Sequence, residues 1–367
     1  MRRAFDSSVA PVGAEVLHVR GLEIEIEVHG RTSGGLPVVL TPGGGGGKGG
    51  FRWLAQRLKS GRQTLVWDRP NTGGSGMTLG DDERQPEFDL QADYLHQVLH
   101  SLGLLPAVLL GKSNGARLSL VFAAKYPQDC AALVLLNVTN GSKAAKRLSA
   151  ERYYQHLDTC ANFGLAAVAK DPHYTALFER NPANRARLLS WGAERFMLQM
   201  KLWGDALSRA GDAVKFPVTG LPRELLQGIQ QPALCVYVAD PGGKDDGMHT
   251  LSAMRALHGC LPGAYGPAVV TDDKEVYVRA IQDFIGALSP PTHMPQSPSP
   301  AKYCAPLAVR PGMYPQLPND AELAQMRAYY AQRAAEGAEE EAREKKSLCS
   351  LGGFFDSWYS TKRVQQR

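Results

Sequence analysis

The chain has 367 residues, 44% of them hydrophobic and 21% charged, with a formal net charge of +5. That is ordinary globular composition, large enough for one sizeable core and an accessory region, and the scattered Lys and Arg residues exclude the basic stripe of a nucleic-acid binder. No apolar run reaches the ~18 residues that cross a bilayer, and Met1 to Gly13 lacks the apolar centre of a secretory signal.

Taken in order, Glu15 to Arg20 and Leu22 to His29 alternate apolar and polar residues around Gly21, the pattern of a β-hairpin with one wet face. Pro37 to Thr41 predicts a buried strand, which runs through Pro42 into five glycines, Gly43 to Gly47, and then a helix from Phe51 to Leu58. The glycines do not fit a phosphate loop, because Pro42 stands at its first glycine and Gly49 at its Ser/Thr. They fit a loop whose bare backbone N–H groups approach a ligand closely. Gln63 to Trp67 predicts a strand, Pro86 to Leu102 an amphipathic helix, and Val108 to Leu110 a strand ending at Gly111.

Gly111-Lys112-Ser113-Asn114-Gly115 then gives way to helical periodicity. Strand, G-x-S-x-G and helix together form a nucleophile elbow: the serine takes a strained backbone conformation that lifts its hydroxyl clear of the sheet, and crowding at the turn forbids a side chain two residues either side. A phosphate-loop reading of Gly111-Lys112-Ser113 fails because Pro106 replaces the required glycine.

Ala131 to Asn137 predicts another buried strand, and the alternation of buried strand and helix so far argues for a parallel, doubly covered sheet. From about Thr139 to Gly228 strand signals stop, and helical stretches such as Lys146 to Asn162 and Ala193 to Leu207 dominate. Pro232 to Ala239 restores a strand, Leu251 to His258 predicts a helix, Ala268 to Thr271 a last strand and Lys274 to Leu288 a last core helix. Ser289 to Pro300 reads as a Pro/Ser-rich linker. Asp320 to Lys346 predicts a helix capped by Asn319 or Asp320, and it is expected to stand outside the core as an exposed appendage or protein-partner element.

In this order the chain resembles the α/β-hydrolase fold superfamily. The resemblance rests on Thr41-Pro42-Gly43-Gly44, on Asp68 to Gly76, on the Ser113 elbow, and on a helical insertion after the strand ending at Asn137. It is similar to the capped branch, which includes proline iminopeptidases, C–C bond hydrolases, esterases and haloperoxidase-like members. The expected organisation is an extension at 1–13, an α/β core at 14–138 and 229–288, a helical cap at 139–228, a Pro-rich linker at 289–318 and a helical tail at 319–367. The resemblance implies a serine hydrolase acting on a small, partly apolar ester, amide or C–C bond through an acyl-enzyme, without metal or organic cofactor. Ser113 would be the nucleophile, with an oxyanion hole from the backbone N–H groups of Asn114 and of Gly43 or Gly44. The acid falls in the loop after Ala239, where Asp246 leads and Asp240 is second.

The histidine departs from the pattern. The family carries it in the loop after the last strand, and Val270-Thr271-Asp272-Asp273-Lys274 has none. Only His249 lies in a loop expected at the C-terminal edge of the sheet. Either His249 is the base, or a cap histidine (His156 or His173) serves, or the chain is a catalytically inactive member that binds a small ligand or partner. Six cysteines without paired or metal-like spacing point to free thiols. A cytoplasmic location is expected, with organellar targeting open.

Overall fold

The computed structural model describes residues 13–31, 34–44, 47–239, 246–266, 268–288 and 313–336. Its strands follow the predicted runs: β1 Gly13–Val19, β2 Leu22–His29 and β3 Val38–Thr41. A 3-10 turn, Lys48–Phe51, leads into α1 Arg52–Leu58, followed by β4 Thr64–Trp67, α2 Glu87–Ser101, β5 Ala107–Lys112, α3 Asn114–Lys125 and β6 Cys130–Leu136.

The chain then leaves the sheet. Helix α4 (Gly141–Ser149) passes through one π-helical stretch, Ala150–Tyr154, into α5 (Gln155–Val168). Helices α6 (Pro172–Arg180), α7 (Ala183–Ser190), α8 (Ala193–Ser208) and α9 (Arg223–Gln227) complete the excursion. The sheet resumes with β7 Ala233–Val238, α10 Leu251–His258, β8 Val269–Thr271 and α11 Lys274–Ala287.

The eight strands order as β1-β2-β4-β3-β5-β6-β7-β8. β1/β2 and β2/β4 are antiparallel and all later pairs are parallel. β3, β5 and β6 read as near-continuous aliphatic runs because helices cover both faces. The two-residue period then splits each run between two cores. Val39, Leu109, Leu133 and Leu135 pack with α2, α3 and α10. Val38, Leu40, Val108, Leu110 and Val134 pack with α1 and α11. Only the hairpin keeps the alternating pattern, since the outer strand β1 has a wet face. This is the α/β-hydrolase architecture, with Ser113 just beyond β5 at the middle of the sheet. No helix of the described residues is long and apolar enough to cross a membrane. Cys130, Cys160, Cys235 and Cys260 are free and buried.

The tail corrects one expectation. Its described part, 313–336, is not an exposed appendage but packs on its own chain. Tyr314, Leu323 and Tyr330 are buried in the larger core. Tyr314 donates its hydroxyl to Asp89 Oδ2 at 2.7 Å and stacks edge-on against Phe88. Gln316 Nε2 donates to the carbonyls of Ala206 and Gly220 at 3.2 and 3.1 Å. A helix over 320–336 follows, opened by a reciprocal cap in which Asn319 Oδ1 accepts from Glu322 N–H and Glu322 Oε2 from Asn319 N–H. Composition places 313–318 in a linker and the following helix outside the core, but three well-placed side chains, Tyr314, Leu323 and Tyr330, decide the position of both. The rest of the predicted helix, beyond 336, lies outside the described residues.

Candidate active site

The elbow follows from contacts that leave no room for a Cβ. A Cβ on Gly115 would stand 2.0 Å from the Thr41 carbonyl oxygen, and one on Gly111 would stand 2.3 Å from Gly115 backbone atoms. Between them Ser113 adopts φ 54° and ψ −114°. That is a strained position for a residue with a side chain, on the order of 1–3 kcal/mol, held by the surrounding packing. Ser113 N–H donates to the Leu136 carbonyl at 2.9 Å, which ties the turn to β6. Asn114 opens α3, so its N–H belongs to the unpaired first turn of the helix. Its side-chain Oδ1 accepts from Arg117 Nη1 at 3.0 Å.

The glycine loop lies against the serine. A Cβ on Gly43 would come within 3.0 Å of Ser113 Cβ and 2.9 Å of the Lys112 carbonyl oxygen. Gly44 has φ 57°, and its carbonyl accepts from the buried Arg69 Nη2 at 2.6 Å, which fixes the orientation of that peptide. Burial, with Arg152 nearby, pushes the Arg69 guanidinium down to about 10, so it stays protonated at neutral pH. Asp68 secures the same loop by accepting from Lys48 N–H and, at 2.9 Å, from Gly74 N–H.

The loop after β7 brings a carboxylate and an imidazole to the serine. His249 Nε2 stands 2.9 Å from Ser113 Oγ. Its Nδ1 stands 2.6 Å from Asp246 Oδ2. The two residues are only three apart in sequence, and a tight turn makes that spacing work. Gly247 takes φ 65°, and Asp246 Oδ1 accepts from the N–H groups of Met248 and His249, each at 2.8 Å. Burial alone would push the Asp246 carboxyl up, but the His249 N–H, the His249 ring and the Met248 N–H outweigh it and hold the carboxyl at about 2. An ionised carboxylate only accepts, so the Nδ1 proton points to Asp246 and Nε2 is left to accept from the serine hydroxyl. The loop after β8 has a different job: Asp273 caps α11 by accepting from Glu275 N–H.

Asp240 falls outside the described residues. A cavity of about 920 Å³ is lined by Gly43, Gly44, Ser113, Asn114, Met248 and His249 below and by Leu148, Arg152 and Arg180 of the helical excursion above. His156 and His173 line a second cavity of about 250 Å³ among the helices, together with Glu87, Tyr153, Tyr174 and Trp203. The two cavities share Glu151 and Arg152. Burial, reinforced by His173, pushes the His156 imidazole down to about 4.

His156 therefore carries a pH prediction. An unfolded histidine titrates near 6.5. As pH falls from about 6.5 to 4 the unfolded chain takes up a proton that the folded chain refuses, so stability falls with pH over that window. The urea midpoint should drop between pH 7 and pH 5, and His156→Gln should shrink the drop. An equal drop in the variant would show that this imidazole does not titrate on unfolding.

Three positioning residues and one cavity-lining residue are not singled out in the sequence reading above. Arg69 holds the glycine loop, and its signal was present in the Asp68 to Gly76 stretch. Arg117 bridges Asn114 and Thr139 Oγ1. Asn137, at φ 45°, clasps β7 by donating to the Val238 carbonyl at 2.8 Å and accepting from Val238 N–H at 2.7 Å. Arg152 lines both cavities. These last three are single residues with no spacing to betray them.

Residues 37–195 match the family model described as the alpha/beta hydrolase fold. That span includes Ser113 and ends before Asp246. Over 104 residues the chain is 33% identical to Lipase 1 of Psychrobacter immobilis, covering 28% of this chain and 32% of the lipase. Over 125 residues it is 30% identical to the 2-hydroxy-6-oxononadienedioate/2-hydroxy-6-oxononatrienedioate hydrolase of Paraburkholderia phymatum, covering 33% of this chain and 42% of that protein. The chain thus spans less than half the length of these curated relatives. Among solved structures, an α/β hydrolase from a Medee basin deep-sea metagenome library matches 76% of this chain and 100% of its own, with TM-score 0.51 and 16% identity. That is a likeness of fold.

Proposed function

Since the chain belongs to the α/β-hydrolase superfamily, we propose that it is a serine hydrolase of a small, partly apolar ester, amide or C–C bond, with Ser113 as nucleophile, His249 as base and Asp246 as its orienting acid. The observation that carries this reading is the continuous chain Ser113 Oγ to His249 Nε2 to Asp246, at 2.9 and 2.6 Å, set on a strained elbow.

In this mechanism Ser113 Oγ attacks the carbonyl carbon of the substrate and its proton passes to His249 Nε2. Asp246 stabilises the imidazolium through Nδ1–H without taking the proton itself. The oxyanion of the tetrahedral intermediate is met by the N–H groups of Asn114 and of Gly43 or Gly44. Collapse breaks the bond to the leaving group, which receives the proton from His249. Water, deprotonated by the same imidazole, then hydrolyses the acyl-enzyme. The helical residues 139–228 serve as the cap that roofs the chamber and limits its water.

A fluorophosphonate probe tests this directly. It should label the wild-type protein at Ser113, located by peptide mass spectrometry, and leave Ser113→Ala unlabelled. Absence of labelling at Ser113 in folded wild-type protein would sink the proposal.

A further inference from the structure

We propose that the substrate carries a free carboxylate and that Arg152 receives it. This deepens the serine-hydrolase reading and rests on it for the position of the reacting carbonyl.

The argument is one of charge and enclosure. Lys112, Arg152, Arg180 and Lys274 line the Ser113 chamber. Among the described residues Glu151 is the one carboxylate that lines it, and it pairs with Arg147 at 2.7 Å. Lys112, Arg180 and Lys274 are exposed, so they form a basic rim. A rim of one sign raises the local concentration of anions and steers them inward.

Arg152 is different. It is half-buried on the π-helical stretch, where both cavities meet, and among the described residues it forms no ion pair. Glu87, the only other acid among the described residues that line the inner cavity, is already bonded by Asn71 Nδ2 at 3.0 Å and by the Tyr153 hydroxyl at 2.7 Å. Behind this wall lie two more buried guanidinium groups, Arg69 and Arg117, both close enough to Arg152 to feel its charge. Each leaves its Nε without a hydrogen-bond partner. Three guanidinium groups therefore face two buried carboxylates, Glu87 and Asp68, and Asp68 is already shared with Lys48. Enclosed charge of one sign is costly unless an opposite charge joins it. A guanidinium presents two parallel N–H donors that match a carboxylate in bidentate fashion.

The test compares 4-nitrophenyl hydrogen glutarate with methyl 4-nitrophenyl glutarate. The two esters share the scissile bond and chain, but only the first has a free carboxylate. In wild-type protein kcat/KM should favour the acid by about tenfold or more, the factor for one charge-assisted hydrogen bond of about 1.5 kcal/mol. Arg152→Gln should remove that preference while changing the methyl ester little, and Arg152→Lys should restore part of it. Glutarate itself, titrated calorimetrically into Ser113→Ala protein, should bind, and Arg152→Gln should weaken that binding by a similar factor. Equal kcat/KM for the two esters in wild-type protein, or no glutarate binding at millimolar concentration, would overturn the proposal. Glutarate binding that depends on Arg152, with neither ester turned over, would overturn the hydrolase reading and leave the anion site standing.

Discussion

Ser113→Ala should lower kcat on a small neutral ester such as 4-nitrophenyl butyrate by roughly 10³-fold or more, and His249→Ala should lower it about as far. The equality is the informative part. Without Nε2 to accept its proton, the serine hydroxyl is a weak nucleophile; without the serine, the base has nothing to activate. The two side chains act as one unit through their 2.9 Å hydrogen bond. The double variant should therefore be no slower than either single one. A His249→Ala protein within tenfold of wild type would remove this histidine from the mechanism. The alternatives His156 and His173 line the inner cavity, which adjoins the Ser113 chamber through Glu151 and Arg152.

A chain ending at Leu288 should melt well below the full chain, by an amount on the order of 10 °C. Tyr314, Leu323 and Tyr330 are each buried in the larger core. Burying one such side chain contributes about 1.5–3 kcal/mol as an upper estimate, and for large domains each kcal/mol shifts Tm by about 2–4 °C. The truncation also strips Asp89 Oδ2 of the Tyr314 hydroxyl. That matters because Asp89 is fully buried beside Asp93, with Lys125 bridging both at 2.6 and 2.5 Å. A comparison chain ending at Glu336 assigns the effect to the packed segment. An unchanged Tm for the chain ending at Leu288 would show that the tail rests on the core without supporting it.

The sequence by itself determined the sheet and its elbow. Strands covered on both faces must be aliphatic throughout, so β3, β5, β6 and β7 announce themselves as short apolar runs between helical periods. Gly111 and Gly115 announce the elbow for an equally local reason, since nothing larger fits against Thr41 and the turn itself. Both signals come from constraints acting within a few residues.

Only the tertiary structure decided which groups meet. His249 lies 136 residues beyond Ser113, and the expected place for a histidine, after β8, is spent on capping α11. Nothing local in Asp246-Gly247-Met248-His249 distinguishes a relay from a solvated turn. The difference is made by where β7 ends, clasped by Asn137 at the edge of the same pocket. The tail was misjudged for the same reason. Proline, serine and charge report how a segment behaves alone, whereas Tyr314 is held by Phe88 and Asp89 of α2 and Leu323 is buried in the larger core. Long-range contacts between residues far apart in sequence leave no period to read, so the chain's own fold has to supply them.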